Sequence, residues 1–550
     1  MHRRKFLQMV AASAVGTIAP GPQRPESSSV RPAGSPNILI VISDQHRVGL
    51  TKRSGYSLDT SPALDRLGDQ GVSFDRAYAT QPVCTPSRTS LLTGRWPHAH
   101  RARQNTEAQQ AYFERDLFDV VKSMGYKTGL SGKNGTHLQP EKLDFWRDYN
   151  DLWGWQPPNP PKEILEFDQW RRLLNFSISK AATPFPLEVQ FPYRTVSSAI
   201  EFLQMYGNEP FALMVSFPEP HDPEQVPKPY FDMFPPDVVP ARGVGPDALK
   251  KKGFRWQWEY DLQNYIEPGS DKYWRRYVSN YLGSLRMIDD QLERLLAFMR
   301  QQHLLENTII VYLSDHGDFL MDYGLMRKGV GMPEDLARIP MIWSGPGIRG
   351  RAHRHPAFVS IADVMPTLCE AIGAEIPHGV QGRSLWPLLE GKEYPEEEFR
   401  SIYVEAGVGG LYYDLSDKVP FSSAVFEGFG KYTVPEKDRT FNELNSVTQS
   451  GYMKMVRMGD WKLMYDMMGY GQLYQLTSDP YELNNLFGDP AVAGEQMLLL
   501  AELLMWTIRT QDTLPMGQVV PGLTDNIKWP KQHNWYSPYR HGKAPEAFVP

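Results

Sequence analysis

The 550-residue chain has only two cysteines, Cys84 and Cys369. At most one disulfide can form, which excludes a disulfide-stapled scaffold and a four-cysteine zinc site. Long apolar runs are missing too. No stretch reaches the ~18–20 apolar residues that a membrane span needs, so no span is expected. Positive charge is also in short supply: 58 Lys and Arg face 64 Asp and Glu, a net charge of −6. That is the wrong sign for a protein held on nucleic acid by its general field, and no nucleic-acid partner is expected. Internal repeats are absent, and low complexity is confined to one short linker.

Hydrophobic residues make up 41% and charged residues 22%, enough to bury a substantial core and to exclude wholesale disorder. The 46 prolines and 44 glycines imply many surface loops. At roughly 150 residues per domain, three or four domains would fit, and one large α/β domain with a smaller appendage fits equally well. The chain opens Arg3-Arg4-Lys5-Phe6-Leu7-Gln8, followed by a mildly apolar stretch from Met9 to Ala19. A basic segment before a short apolar one is an export-signal pattern of the twin-arginine class. Pro20 to Pro36, rich in Pro, Ser and Gly, is expected to be a linker. Residues 1–35 are thus set apart as signal and linker, and an exported, periplasmic or secreted protein is expected.

Four apolar strands each run into polar residues. Asn37 to Ser43 is a continuous apolar run rich in β-branched residues, as expected of a strand buried on both faces, and it ends at Asp44-Gln45-His46. Phe211 to Phe217 leads into Pro220-His221-Asp222-Pro223, and Thr308 to Ser314 into Asp315-His316-Gly317-Asp318. A weaker strand, Lys127 to Ser131, leads into Gly132-Lys133-Asn134-Gly135-Thr136-His137. Between them lie helical patterns. Ser61-Pro62 reads as N-cap and first turn of a helix ended by Gly71, and Tyr277 to Met299 keeps three- and four-residue apolar spacing. Strand–helix alternation predicts an α/β fold: a large, mostly parallel or mixed sheet sandwiched by helices, with ligands bound beyond the strands' carboxyl ends. The polar clusters stand at those ends.

Cys84-Thr85-Pro86-Ser87-Arg88 precedes Thr89-Ser90-Leu91-Leu92-Thr93-Gly94, which reads as a short helix with Pro86 in its first turn. A helix start favours a nearby anion. Arg88, four residues on, would share a face with Cys84 and point its guanidinium at whatever Cys84 attacks. Cys84 itself has three readings. It is a buried structural thiol, a thiolate nucleophile of phosphatase type, or a cysteine oxidised to formylglycine. The second needs arginine six positions later, where Ser90 stands. The third has Cys-x-Pro-Ser-Arg as its recognition sequence.

With Leu-Leu-Thr-Gly-Arg following, this pentapeptide gives the chain a resemblance to the type I, formylglycine-dependent sulfatases of the alkaline-phosphatase superfamily. The resemblance runs from about Pro36 to Leu486. It extends through Pro36-Asn37-Ile38-Leu39, Ser314-Asp315-His316-Gly317, Arg327-Lys328-Gly329 and Arg338-Ile339-Pro340-Met341-Ile342, then Asp363 to Leu368, Leu473 to Leu476 and Asp479 to Leu483. It implies that fold, sulfuric ester hydrolysis, a divalent cation, and a formylglycine-generating enzyme as maturation partner. By the same resemblance, Asp44, Gln45, Asp315 and His316 match metal-ligand positions. Gln45 departs from the family's usual second aspartate and His316 from the asparagine found in some members, leaving the site one carboxylate poorer. Calcium is the expected cation, with manganese or magnesium left open by the imidazole. Arg88 and Lys133 match residues holding formylglycine and sulfate oxygens, and Lys328 the lysine between sulfate and leaving oxygen. His221 matches the leaving-group acid, His137 a further catalytic histidine, and Asp315 doubles as a base for the nucleophile. His137 departs from the common Gly-Lys-x-His spacing by two additional residues.

Other residues are expected to be ordinary: His98 and His100 solvated, Asp318 and Asp322 at the surface or behind the ligands, Cys369 a core thiol, His353-Arg354-His355 an exposed basic loop. From about Ser401 the pattern changes. Met453, Met455, Trp461, Leu463 and Tyr465 alternate around Gly459-Asp460, a hairpin signal, so residues 401–512 are expected to form a small antiparallel sheet with a covering helix from about Ala491 to Thr507. The catalytic part then spans 36–400 and an extended tail 513–550. The long segment from Asp144 to Phe191 carries Trp146, Trp153, Trp155 and Trp170, rings that stack on sugar faces or simply pack. A sulfated carbohydrate is the expected substrate. The alternatives are a phosphonate or phosphate ester hydrolase of the same superfamily, and a catalytically silent glycan-binding member.

Overall fold

A computed structural model describes residues 34–112, 114–174, 177–350, 353–410, 412–413, 416–419, 421, 444–511 and 533–535. The expected export signal and nearly all of the expected tail lie outside them. The strands are β1 (Asn37–Asp44), β2 (Val72–Tyr78), β3 (Lys127–Lys133), β4 (Phe145–Tyr149), β5 (Phe211–Pro220), β6 (Thr308–Ser314), β7 (Arg338–Ile339), β8 (Met341–Ser344), β9 (His353–Ser360), β10 (Ser401–Gly409), β11 (Gly451–Met458), β12 (Trp461–Asp466) and β13 (Gly471–Gln475).

β1 is buried along its whole length and lies between β5 and β6, parallel to both. Its alternate residues face opposite ways, as the two-residue period of a strand requires. Ile38, Ile40 and Ile42 enter one apolar cluster; Leu39 and Val41 enter another. The first is covered by the helix Val364–Ala371, which carries the buried thiol of Cys369, as expected. The second is covered by Ile288, Leu292, Leu295 and Met299 of the helix Trp274–Gln301. The nine-stranded sheet runs β4-β3-β5-β1-β6-β8-β2-β7, with β9 also on β2. From β4 to β6 all pairs are parallel, whereas β8 is antiparallel to β6 and β2, and β7 to β2.

Register brings the polar ends together. Ser43 pairs with Ser314 and with Phe217, and a shift after Ser43 sets Asp44 opposite Pro220. Gly132 pairs with Ser216, which places Lys133 at the same edge.

The second sheet, β10-β11-β12-β13, is antiparallel throughout. Both its faces are covered. Met453, Met455 and Met464 pack against Tyr78 and Phe358 of the large sheet. Val456, Leu463 and Leu473 pack under Leu499, Leu503 and Trp506 of the helix Ala493–Thr510. The expected alternation therefore places Met453 and Met455 on one face and Trp461 and Leu463 on the other. The segment Pro490–Thr510 has a mean hydropathy of 1.4 and is long and apolar enough to cross a membrane. That holds by length and composition alone: Glu495, Glu502 and Arg509 interrupt the run, and the helix combines a sheet-facing stripe with exposed Met497, Leu498, Leu504 and Ile508.

Several residues expected to be exposed are not. His98 bonds Glu405 at 2.7 Å, and His100 is buried against Ser90. His353-Arg354-His355 opens β9 with His355 buried. Trp155 and Trp170 pack beside Phe167 and Phe191, and Trp146 against the main core, while Trp153 stays 42% exposed.

Candidate active site

Cys84 begins the helix Cys84–Thr93, every residue of which is buried. Its Sγ lies 3.2 Å from His316 Nε2, 3.5 Å from Asp44 Oδ1 and 4.0 Å from Lys133 Nζ. Burial, and then Asp44, push its thiol well above the ordinary range.

Arg88 sits one turn along. It is expected to aim at the substrate, but its guanidinium is fully engaged beneath Cys84. Nε donates to Asp315 Oδ2 at 2.6 Å, Nη2 to Asp44 Oδ2 at 3.0 Å, and Nη1 to Ser216 Oγ at 2.7 Å. Two wholly buried carboxylates need such a counter-charge. Although burial opposes ionisation, Lys133 and Arg88 hold Asp44 well below the usual carboxylate range. Lys133 Nζ lies 2.8 Å from Asp44 Oδ2 and 2.6 Å from Asp151 Oδ1, and these acids keep it charged against the cost of burial.

Gln45 takes a left-handed backbone conformation, φ 70°. Its N–H donates to Asp315 Oδ1, its Nε2 donates to Asp318 Oδ2 at 2.7 Å, and its Oε1 accepts from Lys328 Nζ at 2.9 Å. Lys328 Nζ also lies 3.0 Å from His221 Nε2. His316 Nδ1 faces the carbonyl of Gly317 at 2.9 Å. A carbonyl only accepts, so Nδ1 carries the proton and Nε2 turns an unshared pair toward residue 84. Burial lowers this imidazole to about 4 and keeps it neutral.

The ligand atoms of Asp44, residue 84, Asp315 and His316 fall within 4.8 Å of one another. Two carboxylates and an imidazole nitrogen from this group, with the Gln45 amide oxygen as a further candidate once it leaves Lys328, would make a donor set that fits a hard divalent cation.

Nine of the ten expected site residues thus converge, and His137 does not join them. Its Nε2 bonds Asp116 Oδ2 at 2.9 Å, behind the loop. The two added residues explain the correction. Asn134 bonds the Thr136 hydroxyl and the Leu138 carbonyl, and Gly135, at φ +55°, comes so close to Arg88 that a Cβ would stand 3.0 Å from its Cδ. Asp318 and Asp322 are buried rather than at the surface: Asp318 holds Gln45, and Asp322 pairs with Arg47 at 2.8 Å. Sequence reasoning missed Asp151 and Ser216. Asp151 lies in no motif, and only its place just beyond the end of a strand parallel to β3 hints at it.

The family model for Sulfatase matches residues 36–374. The chain belongs to the sulfatase family. This sulfatase is a sulfuric ester hydrolase with an alkaline-phosphatase-like fold. It is 26% identical over 488 residues to a choline-sulfatase of Rhizobium meliloti (strain 1021), covering 85% of each chain. Its fold is similar to that of a phosphonate monoester hydrolase of Agrobacterium radiobacter, with TM-score 0.68 and 22% identity over 86% of this chain and 96% of the other. It is also similar to a protein solved with its substrate D-glucosamine-2-N,6-O-disulfate, with TM-score 0.65 and 21% identity over 88% of this chain and 99% of that one.

Proposed function

We propose that this protein hydrolyses sulfate esters of a carbohydrate through a formylglycine made from Cys84, with a divalent cation held by Asp44, Gln45, Asp315 and His316. The observation that carries the reading is Cys84 Sγ at the head of a buried helix, 3.5 Å from Asp44 Oδ1 and 3.2 Å from His316 Nε2. Calcium suits the three oxygen donors best, with manganese or magnesium next. When bound, the cation would draw charge from the sulfuryl oxygens and acidify the hydrated aldehyde.

The chain's own residues do the rest. One hydroxyl of the hydrate attacks sulfur and the ester S–O bond breaks. His221, whose Nδ1–H is held by the Asp222 carbonyl, acts once it is also protonated at Nε2 and gives that proton to the departing oxygen, work worth about 10²–10⁴ in rate. The second hydroxyl then gives its proton to His221, left neutral by the first step, the C–O bond to sulfate breaks, and the aldehyde returns, to be rehydrated by water. Asp315 Oδ1 already accepts from two backbone N–H groups and Oδ2 from Arg88, so its lone pairs are engaged before the hydrate arrives. Asp44 Oδ1 is the carboxylate oxygen nearest residue 84 and is placed to accept the attacking hydroxyl's proton, although, against the pull of burial, Lys133 and Arg88 make it a weak base.

A carbohydrate substrate is supported by the exposed Trp153 and by the disulfated glucosamine in the similar structure. A second reading, phosphonate or phosphate ester hydrolysis, is favoured by the Asp44-Gln45 and Asp315-His316 pairs and by the phosphonate monoester hydrolase of similar fold. A silent glycan-binding role fits poorly with so complete a polar set. Export through a twin-arginine signal and maturation by a formylglycine-generating enzyme complete the reading. Mass spectrometry of the tryptic peptide Ala77–Arg88 from active protein tests it. An aldehyde or its hydrate at residue 84 is expected, and an unmodified thiol in fully active protein would overturn it. Paired assays with aryl sulfate and aryl phosphonate esters decide between the first two readings.

A further inference from the structure

Asp151 belongs to the long segment between β4 and the helix Lys162–Leu174. Its carboxylate lies 2.6 Å from Lys133 Nζ and 3.8 Å from His221 Nδ1. It is also the outermost of the site's acids: its side chain is 22% exposed, whereas those of Asp44 and Asp315 are wholly buried. Lys133 Nζ, which it holds, is 4.0 Å from Cys84 Sγ, so Asp151 stands one side chain away from residue 84.

The turn that presents it is firmly built. Asn150 Oδ1 accepts from the N–H groups of Leu152 and Trp153, and Asn150 N–H donates to the Trp153 carbonyl. Arg171 Nε donates to the Asp151 carbonyl at 2.8 Å, while its Nη1 faces Glu219, two residues before His221. The segment therefore ties Asp151 to the same strand end that carries His221.

We propose that Asp151 is a charge-selecting residue at the mouth of the site, set between Lys133 and His221 so that singly charged ester anions are accepted and doubly charged ones rejected. This rests on the sulfatase reading above. Two features support it. Gln45 removes a carboxylate from the inner, ligand side, and Asp151 adds one on the solvent side, where it acts on the incoming group. Lys133 is already shared between Asp44 and Asp151, so little of its charge remains for a second negative charge on a ligand. At about 5 Å and an effective dielectric near 20, each extra unit of ligand charge changes affinity by more than about tenfold.

The test compares wild type, Asp151→Asn and Asp151→Glu, all metal-loaded, at slightly alkaline pH. Binding of sulfate, doubly charged, and of sulfamate, its singly charged analogue, is titrated calorimetrically. Turnover of 4-nitrophenyl sulfate, 4-nitrophenyl phenylphosphonate and 4-nitrophenyl phosphate is measured alongside. In Asp151→Asn the sulfate-to-sulfamate affinity ratio is expected to rise at least about tenfold. The phosphate-to-sulfate ratio of kcat/KM should rise with it, the phosphonate-to-sulfate ratio should stay level, and Asp151→Glu should keep the wild-type ratios. Equal changes for singly and doubly charged ligands, or none, would overturn the proposal. A wild-type protein that cleaves no ester, yet whose anion ratio shifts in Asp151→Asn, would sink the sulfatase mechanism and leave charge selection standing.

Discussion

Arg88 is wholly buried between Asp44 and Asp315 and bonds to both. Replacing it with alanine leaves two carboxylates facing each other without their counter-charge. Breaking buried pairs in this way costs about 3–5 kcal/mol, so Arg88→Ala is expected to lower the denaturant midpoint sharply. Arg88→Lys should retain more of that stability and still lose most activity, because an ammonium cannot span Asp315, Asp44 and Ser216 as the fork does. His221 makes a different kind of contribution. His221→Asn should slow alkyl sulfate esters by about 10²–10⁴, and 4-nitrophenyl sulfate far less, since that leaving group departs without a proton. Equal losses on both would mean that His221 is not the acid.

At the scale of elements, β3 and β5 approach so closely at Gly132 that a Cβ there would stand 1.8 Å from the Ser216 carbonyl oxygen, on a backbone at φ +114°. Gly132→Ala must part the strands or distort the turn, at a cost of about 1–3 kcal/mol for the backbone alone. Lys133 would move with it. A fall in melting temperature together with a rise in KM for sulfate esters is expected. The same strands show what a sequence reveals. β1, β5 and β6 are continuous apolar runs ending in acids and histidines, so a buried sheet with polar residues gathered at its strand ends was readable, though not which strands are neighbours. β2 was not, because Val-Ser-Phe-Asp-Arg-Ala-Tyr mixes buried and half-buried positions on a strand with antiparallel and parallel neighbours. The destination of His137 was hidden too, since it depends on the Asn134-Gly135 loop closing over Arg88. Asp151 was invisible for a like reason: its role comes from Asn150 and Arg171 fixing a turn, a contact across many residues with no local signature.

For the whole molecule, the small sheet is joined to the large one through Glu334. This acid pairs with Arg457 of β11 and, at 3.2 Å, with Lys462 of β12. Burial would raise its pKa, but Lys462 and Arg457 bring it down from 4.5 to about 2. A carboxylate depressed on folding adds stability above its unfolded value and loses it as pH falls toward the folded one. The joint should therefore weaken between pH 4.5 and about 2, by about 3 kcal/mol in all. Glu334→Gln should lose that dependence, which melting curves across the interval would reveal. Removing the cation with a chelator should abolish activity and lower the melting temperature, and added calcium should restore both.

Cys84 is only 2% exposed, enclosed by its own helix and by the ends of the central strands. For the proposed oxidation this imposes a deadline. The maturing enzyme has to meet the pentapeptide while the polypeptide is still open, for once the sheet has closed those five residues are wound into a buried helix that another enzyme cannot grip, whereas a small ester can still approach the side chain. Protein folded without that encounter should stay permanently idle, and supplying the maturing enzyme afterwards should rescue it only if the chain is first unfolded.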